Sequence, residues 1–524
     1  MVIVPILLAV FLYALSTVKA ARIIALSAQA VLTGFAVYLF FLTKAGEITA
    51  DVGGYEGVLG ITLRADTLSS VFVALVTFSF LIAALYSVNE EKGKLFWFLL
   101  FIWEGLLIGL FLTRDFFNVF VLLEVAAVVV SIMIMFKRDT RSMYDGMFFL
   151  MVSTVAMQFY LIGVGFVYRL TGVLDMEAAG EVLATLDKSA QILPYALIMT
   201  AISLKCALLP LYSWLPKAHG TPSAPSAVSA LLSGVHIKTG VYLFVRTQAI
   251  FSEVDASSFF LWLGIITSIV GFIFAISQTD IKLILAYHTI SQVGLIIAGL
   301  NLSGDYSQIG GLYHAVNHAL FKASLFLSAG LIIKAYGTRN IYEIRGVFRR
   351  YPLIGAATLM AVFGITGAPL FNGSISKYFI MYGTNRVITV ALVVINLGTI
   401  ISFIKYSTML FGSTDADREL AKPGKLGQVA VLILGAVCFV GGILGAQLIY
   451  LLFNVRLSVD PAGYFEKTVI FFACGVAGYL IYRFYVKKSA LIKRIREIDL
   501  SFRGVCICIG SFFATVLIAV NFLV

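Results

Sequence analysis

Ionisable side chains stand inside segments of this sequence that are otherwise apolar enough to cross a membrane. They include Glu104, Glu124, Lys205, Lys238, His314, His318, Lys322, Lys377 and Lys405. A charged group at the centre of a bilayer costs about 2.5–3.5 kcal/mol on insertion scales. Each such residue therefore needs either a partner or a function.

The chemistry available to these side chains is proton transfer. Burial lowers the pKa of a lysine, and a neighbouring acid tunes it, while histidines titrate near neutrality. A series of such groups can load and release protons in response to a neighbouring charge. Lys405 lies near the end of its segment, where its side chain could instead reach the membrane surface. For Glu104, a structural role and a functional role fit equally well.

His314, His318 and Lys322 follow one another at intervals of four residues. On a helix, this spacing places them on one face, where they could form a short proton wire. Two histidines four residues apart could also bind a metal ion. We predict no metal, because no third ligand is near and Lys322 competes for the same face.

The composition indicates an all-α polytopic membrane protein. Of the 524 residues, 60% are hydrophobic and 12% are charged, against about 25% charged in soluble proteins. The excess of 38 basic over 27 acidic residues is typical of basic loops in a membrane protein and does not indicate nucleic-acid binding. The five cysteines lie in apolar stretches, so no disulfide or cofactor is expected.

Apolar runs recur along the chain and predict about 14–16 transmembrane helices. Most lysines and arginines fall in alternate loops, which favours both termini outside the cytoplasmic membrane. Two of the predicted helices carry breaks, at Leu209-Pro210 and at 364–369. These breaks are five helices apart, and an odd offset implies inverted repeats.

We therefore divide the chain into four predicted regions. They are N-terminal helices 1–3 (1–94), a first inverted repeat (95–249), a second inverted repeat (257–412) and C-terminal helices (428–524). The last region contains a basic amphipathic segment, 486–503, which fits either a helix on the inner membrane surface or an ordinary charged loop.

Five motifs resemble one family. They are RDFFNVFVLLEV (114–125), LKCALLPLYSWLPKAHGTPSAPSAVSALLSGVHIKTGVY (204–242), QTDIKLILAYHTISQVG (278–294), HAVNHALFKASLFLSAG (314–330) and GITGAPLFNGSISK (364–377). Together they resemble the antiporter-like subunits of respiratory complex I, membrane-bound hydrogenases and Mrp-type cation/proton antiporters. The likeness covers roughly residues 60–450 and is greatest to the D-type subunits of Mrp antiporters.

The resemblance implies a role for each matching residue. Glu124 and Lys205 would be the coupled glutamate–lysine pair of the first half-channel. Lys238 would connect this pair to the central axis of the protein.

The second half of the chain would continue the relay. His314, His318 and Lys322 would carry the hydrophilic axis onward. Lys377 would be the terminal lysine, which exchanges protons with one side of the membrane.

One motif departs from the family pattern. His288 stands where the family usually has a small polar residue, and Gln292 stands where a histidine is expected. The departure either leaves one relay point without its expected histidine or moves that point by one helical turn.

The predicted function is that of an ion-translocating component in a multisubunit complex of the cell inner membrane. It would move protons, alone or in exchange for Na⁺, with other membrane subunits as partners and no cofactor or nucleic acid. By itself it would not be an enzyme, although its complex could be a redox-driven oxidoreductase. The alternatives are a stand-alone solute transporter and a structural component without transport activity.

Overall fold

The computed structural model describes residues 1–15, 17–55, 60–90, 92–413 and 421–523, and most of them are helical. The strands in this part of the chain form one antiparallel hairpin, β1 (Ile48–Val52) and β2 (Ile61–Ala65). Within these ranges, thirteen helices are long and apolar enough to cross a membrane. The predicted all-α membrane fold is confirmed.

The helices follow the predicted spans closely. The N-terminal group is α1 (Ile3–Leu15), α2 (Val18–Leu42) and α3 (Thr67–Ser87). The next group is α4 (Lys94–Leu112), α5 (Phe116–Ile134), α6 (Thr140–Thr171), α7 (Met176–Leu183), α8 (Lys188–Lys205), α9 (Ser226–Leu231) and α10 (Lys238–Ile250). Helices α9 and α10 are joined by a π-helical turn, Leu232–His236, into one span.

The second half repeats this arrangement. It contains α11 (Ser257–Ser277), α12 (Ile281–Leu300), α13 (Asp305–Tyr336), α14 (Val347–Arg350), α15 (Pro352–Thr366), α16 (Asn372–Ile380) and α17 (Arg386–Ser407). The C-terminal group is α18 (Lys425–Ile443), α19 (Gly445–Phe453), α20 (Pro461–Ile481), α21 (Ala490–Arg496) and α22 (Phe502–Leu523).

Matching details identify the two repeats. Helices α6 and α13 each have 32 residues, and each ends at a glycine in the left-handed conformation, Gly172 and Gly337. Just before α5, Asp115 forms a β-bridge with Asp175, and just before α12, Asp280 forms one with Asn340. Each bridge ties the start of one helix to the chain that follows the next helix.

The two repeats run in opposite directions. Lys137 follows the end of α5 and donates to the carbonyl of Pro222. Close by in the chain, the Gly220 carbonyl accepts from Arg339, which also pairs with Asp280 at the start of α12. The end of α5 and the start of α12 therefore lie on the same side of the protein, as inverted repeats require.

We call this side the basic face, defined by Lys137, Lys217, Arg339 and Arg496. Segment 482–501 crosses it and links α20, which packs on α17, to α22, which packs on α8 and α6. Polar contacts fasten this crossing segment: Lys217 pairs with Asp499 at 3.0 Å and donates to the Leu500 carbonyl at 2.9 Å, and Arg496 donates to the Ser277 carbonyl at 2.8 Å. The predicted amphipathic segment contains the short helix α21, which packs against α11.

The opposite face is held by one carboxylate between two arginines. Asp66 caps α3 and accepts from Arg246 at 2.5 Å and from Arg114 at 2.8 Å. Burial alone would raise the pKa of Asp66. Arg246, the Ser69 amide and Arg114 together hold that pKa below its ordinary value.

We expect Asp66→Asn to lower stability by about 1–3 kcal/mol at pH 7, because two partly buried guanidinium groups lose their anion. Asparagine caps a helix as well as aspartate does, so the charge alone is tested. Since the pKa of Asp66 is lower in the folded protein, its stabilisation is present above pH of about 4 and is lost as pH falls through the folded pKa. The melting temperature of the purified protein measures this loss, and its pH dependence checks the sign.

Asp51→Asn is the matched control for this substitution. Asp51 lies in the exposed strand β1, where it accepts from Thr62 at 2.9 Å. A drop in melting temperature that is equal for both variants would contradict the role assigned to Asp66.

Candidate functional site

Two broken helices place lysines inside the protein. Helix α8 ends at Lys205, and the Leu204 carbonyl accepts both from the Ala207 amide at 2.8 Å and from the indole N–H of Trp214 at 2.9 Å. Helix α15 ends at Thr366, where Gly367 takes a left-handed conformation with φ of 75°. Both predicted breaks are confirmed.

Lys205 and Glu124 approach each other through helix α6. The ammonium group of Lys205 is buried and donates to the Ser153 hydroxyl at 2.5 Å. The next residue on α6, Thr154, donates to the carboxylate of Glu124 at 3.3 Å. Within the described residues the two charges form no direct ion pair, so two neighbouring hydroxyl groups lie between them.

Helix α10 packs tightly on the break of α8. A Cβ atom added at Gly240 would lie 2.9 Å from the backbone nitrogen of Cys206, so only glycine permits this approach. Lys238 begins α10 and is fully buried. Its Nζ lies 2.6 Å from Nδ1 of His318, which belongs to the second repeat.

His314 lies one turn before His318 on α13. Its Nδ1 lies 2.8 Å from the Ser376 hydroxyl, and its Nε2 lies 3.0 Å from the side-chain oxygen of Gln292. Ser376 directly precedes Lys377 on α16. The structure therefore brings His314 next to the residue that precedes Lys377.

Lys377 reaches back to the second helix break. Its ammonium group donates to the Ile365 carbonyl at 2.7 Å and to the Asn396 side chain at 2.8 Å. A cavity of about 60 Å³ adjoins it, lined in part by Tyr464 and Lys467. Tyr464 lies near the start of α20, at the end remote from the crossing segment.

Lys322 lies one turn after His318 on α13 and contacts a backbone carbonyl and an aromatic ring. It donates to the Leu285 carbonyl at 2.5 Å and lies 5.8 Å from the centroid of the Phe326 ring. The ring of Phe326 also contacts His219, with centroids 5.0 Å apart. His314 and Lys322 both meet α12, through Gln292 and Leu285, whereas His318 meets Lys238 of α10.

The departure at α12 has a structural outcome. Gln292 contacts His314. His288 lies one turn away from Gln292 and packs against Phe403, with ring centroids 4.8 Å apart. Both ring nitrogens of His288 are buried without a hydrogen-bond partner among the described residues.

Two other intramembrane charges have local partners. Lys405 donates to the Ile276 carbonyl at 2.5 Å and to that of Gln278, so it covers the end of α11. It is buried and does not extend to the surface. Glu104 on α4 is hydrogen-bonded to Gln29 on α2, among the N-terminal helices.

Sequence reasoning missed four polar residues that connect the ionisable ones: Ser153, Thr154, Ser376 and Asn396. Their only signal is a small polar side chain inside an apolar span. Such residues are inexpensive to bury when they bond to the backbone of their own helix, so the sequence does not distinguish them from ordinary helix residues.

The family model described as "NADH:quinone oxidoreductase/Mrp antiporter, TM" matches residues 113–404. The D component of the Na⁺/H⁺ antiporter of Alkalihalophilus pseudofirmus is 27% identical over 78% of this chain and 87% of its own length. The N component of the NADH-quinone oxidoreductase of Desulforudis audaxviator is 32% identical over 63% of this chain and 68% of its own.

Solved structures show the same fold. A chain of the Mrp complex from Dietzia superposes with a TM-score of 0.80 at 22% identity, over 90% of this chain and 98% of that one. A chain of an archaeal membrane-bound sulfane sulfur reductase superposes with a TM-score of 0.79 at 21% identity, over 91% and 98%.

Gly240→Ala should destabilise the site by about 1–3 kcal/mol, because the added methyl group meets the backbone of Cys206. We expect a lower melting temperature and a loss of ion transport together. Gly165→Ala on α6 is the control, because nothing lies within 4 Å of its Cβ position. An unchanged melting temperature for Gly240→Ala would contradict the close packing of α10 on α8.

Proposed function

Because the chain belongs to the NADH:quinone oxidoreductase/Mrp antiporter transmembrane family, we propose that it moves protons along a relay from Glu124 to Lys377. The chain works as one component of a multisubunit antiporter-like membrane complex. Its relatives include D components of Na⁺/H⁺ antiporters and hydrogenase-4 component B.

The contact between Lys238 and His318 carries the proposal. It joins the first repeat to the second at 2.6 Å, deep inside the protein. Two like charges 4 Å apart repel by about 4 kcal/mol at an effective dielectric constant of 20. The pair therefore holds one proton between them more readily than two, and it can pass that proton from Nζ to Nδ1.

Repulsion then drives the proton onward. A proton on His318 raises the energy of a positive charge on His314, one helical turn away. This repulsion favours transfer of a proton on His314 toward Ser376 and Lys377. When Lys238 is neutral again, Lys205 can supply it with the next proton. The negative charge of Glu124 attracts the next proton to Lys205.

The cavity beside Lys377 supplies the route to one side of the membrane. It lies between the break of α15 and the start of α20, and its lining includes both Lys377 and Lys467. It leads away from the basic face. The terminal lysine thus exchanges protons with the side opposite the basic loops.

The basic face lies in the cytoplasm under the positive-inside rule. Lys94, at the start of α4, donates to the carbonyl of Tyr13 near the end of α1. Helix α22 begins beside the crossing segment on the same face. Both chain termini then lie at the outer side of the cell membrane.

The chain is not an enzyme by itself in this proposal. Its free-energy source is another subunit, either a redox unit or a partner that carries Na⁺. A solute carrier working alone would gather its polar groups around one midplane pocket. Here the contacts extend from α5 to α17 through α8, α10, α13 and α16.

Lys205→Ala should abolish ion transport and leave the complex assembled, because the first half-channel loses its proton carrier. Glu124→Ala should do nearly the same. Proton uptake by inverted vesicles measures transport, and co-purification of the other subunits measures assembly. Lys188→Ala, at the start of α8, is the control. Normal transport in both site variants would show that the relay assignment is wrong.

His318→Asn separates proton transfer from hydrogen bonding. The asparagine side chain can stand where Nδ1 lies and bond to Lys238, but it cannot take up a proton. We expect proton transport to fall by about 10²-fold with assembly unchanged. His288→Asn, off the path, should retain transport. Equal loss in the two variants would argue against a path through His318.

A further inference from the structure

A polar cavity of about 330 Å³, separate from the one beside Lys377, opens on the basic face. It lies where the crossing segment passes the ends of α11, α17 and α20. Its walls carry five basic residues: Arg345, Lys405, Lys487, Lys493 and Arg496. The hydroxyl groups of Thr408, Tyr482 and Ser489 also line it. Among the described residues, its lining includes no carboxylate.

Three of the cavity's cations lie on the crossing segment and are not balanced by a carboxylate within the described part of the chain. Lys487, Lys493 and Arg496 take part in no ion pair there. Arg496 uses its Nε to hold the Ser277 carbonyl, and Lys405 is bound by carbonyls at the end of α11. A concave site with several cations and hydroxyl donors attracts an anion with several oxygen acceptors.

We propose that this cavity binds the phosphate headgroup of an anionic phospholipid. Lysine and arginine side chains at the ends of transmembrane helices form such sites. The apolar residues Val486 and Ile492 complete the wall next to the cations.

The surroundings favour a lipid over free phosphate. Helix α20 rises from the cavity and exposes large apolar side chains on its outer surface, with Phe472 at 62% and Val476 at 65% exposure. Phe484, in the turn that follows α20, is 62% exposed. Acyl chains attached to the bound headgroup would lie along this surface. Free phosphate would bind the cations but leave the apolar surface of α20 uncovered.

The bound headgroup would add a bridge between elements that the bond from Arg496 to the Ser277 carbonyl already joins. It would contact Thr408 just after α17, Tyr482 at the end of α20 and Lys493 on α21. It would thereby fasten the crossing segment to the second repeat. None of the proposed relay residues lines the cavity, so the inference does not depend on the proton path.

The test compares two double variants that remove equal charge. Lys487→Gln with Lys493→Gln removes two cavity cations, and Lys488→Gln with Arg494→Gln removes two neighbouring cations outside the cavity lining. The full chain is purified gently with its accompanying subunits, and native mass spectrometry measures the retained phospholipid. The wild type and the second pair should carry anionic phospholipid. The first pair should retain about tenfold less.

Added ligands distinguish the source of the phosphate. Phosphatidylglycerol should raise the melting temperature of the delipidated wild type, whereas phosphatidylcholine and inorganic phosphate should not. Lys487→Arg with Lys493→Arg keeps the charges and should keep the lipid. Equal lipid loss in the two glutamine pairs, full retention in the first pair, or stabilisation by inorganic phosphate alone would each overturn the proposal.

Discussion

The cost of placing an ammonium group inside an apolar protein governs this structure. Each buried lysine has its own acceptors, and most of these are uncharged: the Ser153 hydroxyl for Lys205, an imidazole nitrogen for Lys238, and a carbonyl with an amide for Lys377. Neutral acceptors stabilise the cation without fixing it permanently, because no opposing charge is stranded when the proton leaves. The same protein uses full ion pairs at its two faces, where Asp66 and Asp280 hold arginines.

Helix ends supply much of this stabilisation. Lys205 is the last residue of α8, Lys377 bonds to a carbonyl in the last turn of α15, and Lys405 covers the end of α11. Unpaired carbonyls and the helix dipole favour a cation at a C-terminus, by about 0.3–1 kcal/mol near the surface and up to about 2 when partly buried. A broken helix brings such an end into the membrane interior, which an unbroken span cannot do.

The two repeats place their buried lysines close to one another. Each repeat brings one broken helix with a lysine at the break, Lys205 or Lys377, and the two repeats meet where Lys238 of α10 contacts His318 of α13. The faces keep this junction in place. On one side Asp66 ties α3 to the chain around α4 and α10, and on the other Lys217 and Arg496 fasten the crossing segment beneath both repeats.

The sequence alone determined the fold class, the spans, the two breaks and the sorting of basic loops to one face, because hydropathy, proline and charge act locally along the chain. It also identified the costly intramembrane charges, namely Glu124, Lys205, Lys238 and Lys377. Only the tertiary structure decided their partners, because hydroxyl groups such as that of Ser153 reach these charges through packing between helices distant in sequence. On α13 the spacing sets the rotation from His318 to Lys322, but which neighbour each one meets depends on where the surrounding helices pack.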